Sequence, residues 1–425
     1  MHNSITFAAV GDSLAIARIN AHNPELQKLR EYITSCDIAI TNLEAVIHEF
    51  EQNIYPSRIS GGDWVSTGPD TLSDLAWLGF NLYALPNNHS FDWMCNGISK
   101  TIENLKKHNI IFSGIGNNLY EASKPAYFQA PEGRVALISI TTTFEEWHRA
   151  GKQRHDTPGR PGVNGVGYQS VCSITNEEMA VLKQITEKYP VGSVTDNDGH
   201  ILFGGILFDA GDRGVTTRVN SDDKNALGHM ISLAARQADL VIVSCHSHES
   251  KNGDPFINAD FQEELARFCI DCGANAYIGH GPHVIRGIEI YKDSPIFYSL
   301  GNFFYQCELI EREPDEFYNK FKPFGPEACT ADVFDYRIEA GGILGEINPD
   351  YYRSVIAKFK ICDKKLSHID LVPVSLNYSC HRSLKGTPKI ADKNEASIIL
   401  KQIQRLSEPY GTKIQLIDDR AHIIL

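Results

Sequence analysis

The sequence predicts an α/β fold, because short apolar runs of strand length alternate with amphipathic helical patterns as far as residue 305. Hydrophobic residues make up 42% of the 425 residues, which is enough to bury a full core. The apolar runs are continuous, as is typical of largely parallel strands that are buried on both faces. We therefore expect buried sheets covered by helices.

The strand-like runs follow one another along the chain with helices between them. In order, they are "ITFAAV", "DIAITNL", "NLYALP", "IIFSGIG", "RVALISI", "DLVIVSC", "NAYIGHG" and "SPIFYSLGNF". The segments "GISKTIENLKKHN" and "FQEELARFCIDCG" have helical apolar spacing, and the second ends at a glycine typical of a helix C-cap. This order predicts alternating strand and helix units along most of the chain.

Two stretches interrupt the alternation. The segment "RHDTPGRPGVNGVGY" is rich in Gly and Pro and predicts a long ordered loop, whereas the charged, aromatic residues 306–340 predict an insertion or lid over a cleft. Further strands ("YRSVIAKFKIC", "LSHIDLVPVSL"), a helix ("KNEASIILKQIQRLSEPYG") and a short strand ("KIQLID") follow. We see no linker typical of a domain boundary. We therefore predict one domain over residues 1–380, with residues 381–425 as its helix–strand extension.

Composition argues against two classes of partner. The net charge is −13 and the acidic residues are spread out, whereas general nucleic-acid binding needs a basic face. No apolar run approaches the ~20 residues of a membrane span, and "MHNSITFAAVGDSL" predicts a first strand rather than a signal peptide.

The ten cysteines lack framework spacing, and the C-x-x-C from Cys269 to Cys272 lies in a helical pattern. We expect a cytoplasmic protein with reduced thiols, and its oligomeric state stays open.

Side chains that bind metals or transfer protons follow five of the predicted strands. They are Asp12, Asn42, Glu44, Asn88, His89, Asp92, His246, His248, Glu249, His280 and His283. Each alone has an ordinary reading as a turn, cap or core residue. Their common position favours convergence, because the carboxyl ends of strands in an open α/β sheet share one edge. Carboxylate, carboxamide and imidazole groups together suit Mn, Fe or Zn, and the lack of a thiolate set argues against structural zinc.

Seven motifs then make a resemblance specific. The chain contains, in order, "GDSLA", "TNLEAVI", "NNHSFDWMCNG", "GRPGVNG", "HSHE", "GHGPHV" and "IFYSLGNFF". Together they resemble the capsule-biosynthesis CapA family, a branch of the calcineurin-like metallophosphatase superfamily, over roughly residues 5–390. The resemblance implies a four-layer α-β-β-α sandwich with two mixed sheets and a site for two divalent metal ions.

The resemblance also implies the metal ligands, which are Asp12, Asn42, Glu44, Asn88, His246, His280 and His283. Asp12 and His283 would hold the first metal. Glu44, with Asn42 beside it, would bridge the pair, and the other three residues would hold the second metal. Leu14 stands where the superfamily usually has a histidine, so the first metal would have fewer protein ligands.

Catalytic and substrate-binding residues follow from the same resemblance. His89 matches a histidine that does not bind metal in the superfamily and would protonate the leaving group, with Asp92 fixing its tautomer. His248 stands where the family usually has a glycine, and we expect it beside the ligands or the substrate. The predicted substrate-binding residues are Arg160, Asn164, His248 and Glu249. Arg160 is chosen for its planar guanidinium, which suits an anion, and an ordinary surface-loop arginine is the equal alternative. Glu249 could also orient either of the two histidines.

Three functions are open from the sequence. The first is a metal-dependent hydrolase, in particular a di-metal phosphoesterase for a small or oligomeric anionic substrate. The second is a metal-dependent amide hydrolase for γ-glutamyl or peptide-like substrates. The third is a non-catalytic accessory protein of poly-γ-glutamate synthesis. His89 favours catalysis, because a binding module does not need a proton donor.

Overall fold

The computed structural model describes residues 4–189, 192–195, 199–320, 322–340 and 348–425. Two mixed sheets pack face to face, and helices cover the outer face of each. The predicted four-layer α-β-β-α sandwich is therefore confirmed. Residue 321, inside the predicted insertion, lies outside the described residues.

The first sheet is the larger one. Its main strand order among the described residues is Lys413–Ile417, Arg420–Ile424, Lys365–Ser375, Arg353–Cys362, Ser4–Leu14, Ile38–Leu43, Leu82–Ala84 and Phe112–Ser113. Two short strands join it at the side, Asn302–Tyr305 against Ser4–Leu14 and Lys389–Ile390 against Lys365–Ser375. The N-terminal strands are parallel and the C-terminal ones antiparallel, so only the N-terminal half brings carboxyl ends of strands together.

The second sheet holds the histidine motifs. Its strand order is Ile288–Tyr291, Ser294–Phe297, Ala276–His280, Leu240–His246, Gly133–Thr141 and Ala126–Ala130. The four inner strands are parallel to one another, and the two edge strands are antiparallel to their neighbours. The parallel inner strands therefore end at one edge, beside the corresponding edge of the first sheet.

Smaller sheets lie outside the sandwich. One contains, in order, Ser193–Thr195, Ile201–Phe203, Ile206–Ala210, Tyr168–Ile174 and Gly214–Val219. The two-stranded pairs are Gly162–Val163 with Ile115–Gly116 and Val46–Ile47 with Ser66–Thr67. The sequence patterns did not predict the first of these sheets, which consists of Tyr168–Ile174 and of the strands within residues 193–219.

Alternation along the strands separates the layers. In the first strand, Phe7 and Ala9 face the second sheet, whereas Ala8 and Val10 face the outer helices.

The α-helices of the described residues are Pro24–Thr34, Asp70–Leu78, Met94–Lys107, Leu119–Ser123, Asn176–Lys188, Ser221–Ala235, Asp260–Asp271, Asp315–Asn319, Thr330–Ala340 and Lys393–Ser407. Short 3₁₀ turns are Glu146–His148, Lys251–Gly253, Cys307–Leu309, Pro349–Tyr352 and Glu408–Tyr410. In the part of the chain that the structure describes, none of these helices is both long and apolar enough to cross a bilayer.

The C-terminal residues join the main core. Ile399 and Ile403, from the last helix, pack in the apolar cluster between the two sheets. The strand Lys413–Ile417 was predicted, but its hairpin partner Arg420–Ile424 was not, and it is this partner that pairs with the first sheet. The C-terminal segment thus extends the sheet instead of standing apart from it.

Candidate metal centre

Asp12 is placed by a close approach of two backbones. It lies in register with Asn42 on one side and with Asn302 on the other. A Cβ atom at Gly11 would lie 1.8 Å from the carbonyl oxygen of Gly301, so only glycine lets this neighbour come so near. The Asp12 carboxylate accepts a hydrogen bond of 2.7 Å from the Asn42 amide. It is fully buried and points toward the second sheet.

Three imidazoles surround Asp12. His246 and His280 are in register on neighbouring parallel strands, and their Nδ1 atoms lie 3.6 Å and 3.5 Å from Oδ1 of Asp12. His283 approaches from the following turn, with Nδ1 3.8 Å from Oδ2 of Asp12. Two ligands bonded at ~2.1 Å in a tetrahedral arrangement lie about 3.4 Å apart. The spacing between Nδ1 of His280 and Asp12 is close to that value, whereas Nδ1 of His246 and Nδ1 of His283 are hydrogen-bond partners of Asn42 and Asn302.

Glu44 lies where two groups of candidate ligands overlap. Its Oε1 atom is 3.6 Å from Nε2 of His246 and 3.9 Å from Nε2 of His89. The two groups, in each of which the ligand atoms lie within 4.8 Å of one another, are Asp12, Glu44 and His246, and Glu44, His248 and His283. Because both groups include Glu44, its carboxylate is in the position that a bridging ligand requires.

Several buried polar atoms here have no hydrogen-bond partner among the described residues. They are Oδ1 of Asn42, both carboxylate oxygens of Glu44, Nε2 of His246, and both ring nitrogens of His280. Leaving such an atom unsatisfied costs ~1–3 kcal/mol. A divalent cation accepts electron pairs from oxygen and nitrogen together. The side chains present therefore fit a metal.

Burial controls the protonation of these groups. It raises the pKa of Glu44 well above its usual range, and the charges of Asp12 and Asp92 raise it further. Burial also lowers the pKa of both His280 and His283 to about 4. Both imidazoles are then neutral at pH 7, which is the form that binds metals.

Asn302 orients His283. Its side-chain oxygen lies 2.8 Å from Nδ1 of His283, and its amide donates to the carbonyl oxygen of Tyr351 at 2.9 Å. With Nδ1 engaged in this way, Nε2 is the ring nitrogen left for the cleft. His283 has a φ of 59°, a left-handed conformation that is uncommon for a residue other than glycine and is often found at functional sites.

His89 and Asp92 form a buried pair beside Glu44. Nδ1 of His89 lies 2.7 Å from Oδ2 of Asp92, which also accepts the backbone N–H of Val65 at 3.0 Å. Burial alone would lower the pKa of His89, but the charge of Asp92 and its hydrogen bond outweigh burial and raise the pKa. The pair thus holds the ring with Nε2 toward the cleft.

His248 connects Asn88 to the cluster. Its Nε2 atom is 3.3 Å from Oδ1 of Asn88, and its ring centroid lies 4.9 Å from that of His246 and 5.1 Å from that of His283. Burial lowers the pKa of His248 well below its usual value. A neutral ring at this place is available either to a metal or to a bound substrate.

Glu249 supports the histidine loop through hydroxyl groups. Its carboxylate accepts hydrogen bonds from Thr142, Thr143 and Ser247. The Thr143 hydroxyl in turn accepts the backbone N–H of His248 at 2.8 Å. Sequence reasoning missed both threonines, although they lie within three residues of the end of the predicted strand "RVALISI" and so have the same strand-end position as the residues that it found.

Two of the predicted substrate-binding residues lie apart from this cluster. Arg160 is exposed, and its guanidinium donates to the carbonyl oxygen of Arg149 at 2.8 Å. The Asn164 amide donates to the carbonyl oxygen of Ser139 at 3.0 Å. Both side chains fasten the Gly- and Pro-rich loop to its neighbours. These are the contacts that the structure shows for the two side chains, and their role in binding substrate stays a prediction.

A cavity of about 280 Å³ opens beside the cluster. Asn88 and Glu249 line the side nearest the histidines, and Glu145, His148 and Tyr168 line other parts of it. Its described lining contains no lysine or arginine. The cavity thus offers carboxylates, aromatic rings and hydroxyl groups to whatever extends from the metal ligands.

Several known proteins are similar in sequence to this chain. The profile of the family described as "Bacterial capsule synthesis protein PGA_cap" matches residues 6–306. "Uncharacterized protein y4uA" of Sinorhizobium fredii (strain NBRC 101917 / NGR234) is 34% identical over 433 residues, covering 99% of this chain and 93% of the relative. "Capsule biosynthesis protein CapA" of Bacillus anthracis is 26% identical over 273 residues, or 64% of this chain and 51% of the relative. "PGA biosynthesis protein CapA" of Bacillus subtilis (strain 168) is 26% identical over 239 residues, or 56% and 46%.

The matches confirm the resemblance that the motifs predicted. CapA belongs to the metallophosphatase-like superfamily, whose members usually bind divalent metals. The matched range includes Asp12, Glu44, His246 and His280. The chain belongs to the family of bacterial capsule synthesis proteins called PGA_cap.

Proposed function

We propose that the protein is a metal-dependent hydrolase, and specifically a di-metal phosphoesterase for a small or oligomeric anionic substrate. The observation that carries the proposal is the group of buried, unpartnered oxygen and nitrogen atoms around Glu44, with the His89–Asp92 pair beside it. Two ions of Mn, Fe or Zn would be held by Asp12, Asn42, Glu44, Asn88, His246, His280 and His283. When bound, they would act as Lewis acids that stabilise negative charge developing on the substrate.

His89 is the proposed general acid. Asp92 holds Nδ1, and the raised pKa favours the protonated ring, which donates a proton from Nε2 to the leaving oxygen. Nε2 of His89 lies 3.9 Å from Oε1 of Glu44, one of the candidate metal ligands. The leaving-group oxygen of the substrate would lie beside these two side chains.

The cavity beside Asn88 bears on the leaving group. The described lining contains the carboxylates of Glu145 and Glu249 and no lysine or arginine. This charge favours a neutral alcohol or an amine over an anion as the leaving group. The anionic group of the substrate would then lie toward the metal ligands and the uncharged part in the cavity.

The same cavity supports a second candidate, a metal-dependent amide hydrolase for γ-glutamyl or peptide-like substrates, because an amine is then the leaving group. Two Bacillus relatives are named for capsule and PGA biosynthesis. A non-catalytic accessory role in poly-γ-glutamate synthesis is the third outcome that experiment must separate.

The experiment uses protein purified without chelator, with its Mn, Fe and Zn content measured. Alkyl and nitrophenyl phosphate esters and γ-glutamyl amides are then offered to wild type and to His89→Ala. Phosphate release supports the phosphoesterase, and amine release supports the amide hydrolase. Bound metal without turnover of either class contradicts both and supports the accessory role.

His89→Ala should keep the metals and lose ~10²–10⁴-fold in turnover of alkyl esters. The loss should be smaller for nitrophenyl esters, because their leaving groups need less protonation. His108→Ala is the control, since His108 bonds the Asn104 carbonyl oxygen at the end of a helix. Equal losses on both kinds of ester, or loss of metal, would show that His89 is not the general acid.

We also propose that residues 306–340 restrict access to the cleft. Within this insertion, Lys320 donates to the carbonyl oxygen of Gly62 at 2.9 Å, and the Glu313 carboxylate accepts the backbone N–H of Trp64 at 3.1 Å. Gly62 in turn lies against the catalytic candidate, because a Cβ there would be 3.4 Å from the ring of His89. The insertion therefore supports a segment that borders the cleft.

Replacing residues 310–330 with a short Gly/Ser linker tests this proposal. The shortened protein should keep its metals and change its KM or its substrate range. A folded variant that handles every substrate as wild type does would contradict a role in access.

We propose that residues 1–380 form the catalytic unit and that residues 381–425 extend the same domain. The support is the packing of Ile399 and Ile403 between the two sheets. A chain that ends at residue 380 should therefore unfold in a single transition at a lower temperature than the full chain. A folded truncated chain with unchanged melting would contradict it.

A further inference from the structure

A second group of metal-binding side chains lies far from the motifs, near the C-terminus. His368 and Asp370 are two residues apart in the strand Lys365–Ser375 and so share one face of the sheet. His422 lies directly opposite Asp370 in the neighbouring antiparallel strand. We call these three residues the surface triad.

The ligand atoms of the surface triad converge. Nε2 of His368 lies 2.7 Å from Oδ1 of Asp370, and Nδ1 of His422 contacts the same oxygen. One ligand atom from each residue lies within 4.8 Å of the others. Oδ1 of Asp370 and Nδ1 of His422 are nonetheless without a properly oriented hydrogen bond to any described residue. The atoms are close together without being hydrogen-bond partners, and an ion bound between them would spread them to the ~3.4 Å that separates two ligands of one tetrahedral ion.

Two of the nearby cations, Lys358 and Arg420, contact other groups. Lys358 is the cross-strand neighbour of Asp370 on the other side. Its ammonium group donates to the Ser35 hydroxyl at 2.8 Å and lies 5.8 Å from the centre of the Tyr32 ring. Arg420 donates to the Tyr32 hydroxyl. Lys360 is the cross-strand neighbour of His368, so it is a further positive charge beside the triad.

We propose that His368, Asp370 and His422 form a further metal site, for Zn²⁺ or a similar borderline divalent ion, separate from the cleft. Two imidazoles and one carboxylate are a ligand set that zinc accepts, with the remaining position open to solvent. The side chain of His368 is 52% exposed, so an ion reaches the site directly from water.

The position of the site also gives it a structural consequence. The C-terminal hairpin pairs with the first sheet through Asp370 opposite His422 and Leu371 opposite Ala421. The first of these pairs supplies two of the three ligands. A bound ion therefore cross-links the hairpin to the sheet where these two residue pairs join them.

The test uses full-length protein that has been stripped of metal and then titrated with Zn²⁺ alone. His368→Gln and His422→Gln should each bind one equivalent fewer than wild type and should keep the equivalents of the cleft. His155→Gln is the matched control, because His155 is 84% exposed and outside the triad. Unchanged stoichiometry in both triad variants, with native circular dichroism, overturns the site.

Hydrogen exchange of residues 413–424 tests the cross-link separately. Zn²⁺ should slow exchange there in wild type and have no effect in His422→Gln. A lost equivalent without any protection of the hairpin in wild type overturns the cross-link. Because the triad shares no residue with the cleft, these results do not depend on whether the proposed hydrolase activity is found.

Discussion

The cleft cluster and the surface triad use the same kinds of side chain in opposite surroundings. In the cleft, Asp12 and Glu44 are fully buried and His246 and His280 are 1% exposed. The ligand candidates come from both sheets, whereas the surface triad lies on two neighbouring strands of one sheet. In the triad, the side chains of Asp370 and His422 are 30% and 34% exposed.

The difference shows how far each group depends on a metal. Among the described residues, the triad has two buried atoms without a hydrogen-bond partner, Oδ1 of Asp370 and Nδ1 of His422, whereas the cleft ligands have six, so the triad carries the smaller cost when no ion is bound. The unpartnered oxygens of Glu44 and nitrogens of His280 are shielded from water and carry a cost of ~1–3 kcal/mol per atom. We expect the cleft to affect folding and activity together, and the triad to affect only its own neighbourhood.

Removing the cleft metals should have the largest effect. Chelated wild type should lose hydrolysis and melt at a lower temperature, since free metal at 1,000 times Kd adds about 4 kcal/mol to the free energy of unfolding. Scanning calorimetry with and without chelator measures the difference. His246→Ala should abolish most of it, whereas His422→Gln, the matched surface variant, should retain it. Equal melting of metal-loaded and chelated wild type would refute the contrast between the two clusters.

Asn302→Ala should have an intermediate effect. Without its hydrogen bond to Asn302, His283 is no longer oriented, and such supporting contacts typically contribute 10–100-fold (~1.4–2.7 kcal/mol) to metal affinity. Metal titration followed by calorimetry measures the change.

Asn164→Ala is the control for this prediction, because its amide anchors a loop to the Ser139 carbonyl oxygen. It should lower stability while leaving metal affinity unchanged. Similar metal affinities in both asparagine variants would show that Asn302 does not position the histidine.

The smallest expected effect belongs to the surface triad. Lys358→Gln should tighten Zn²⁺ binding there by about two- to threefold at low salt, because one cation beside Asp370 is removed. Added salt should shrink the gain by screening. Lys292→Gln, on the other sheet, is the control and should change nothing. A gain that is the same at high and low salt would mean that charge is not its cause.

Much of the fold and of the cleft was predictable because the relevant signals are local. Continuous apolar runs predicted buried strands, and the strand-end positions of Asp12, Glu44, His246 and His280 predicted that they would meet. The small sheet around Tyr168–Ile174 was missed because its strands are short and only partly buried. Its apolar runs, in Ile201–Phe203 and Ile206–Ala210, are shorter than those by which the buried strands were recognised.

Loop side chains were harder to place. Arg160 is predicted at the substrate because its planar guanidinium suits anions, and in the structure this group donates to the Arg149 carbonyl oxygen. A side chain with several donors satisfies whichever acceptor the loop brings near. Residue type alone cannot distinguish such an anchor from a ligand contact.

The sequence by itself determined the α/β alternation, the helix-covered sheets and the strand ends that carry oxygen and nitrogen ligands. Each of these is written over a few consecutive residues, in apolar periodicity or in a short motif. Only the tertiary structure decided that His248 and His283 share a ligand group with Glu44, and that Asp370 lies opposite His422. Those facts depend on how two sheets stack and on the register of an antiparallel pair. Register depends on which faces of both strands are buried together, so the residues of one strand alone do not determine it.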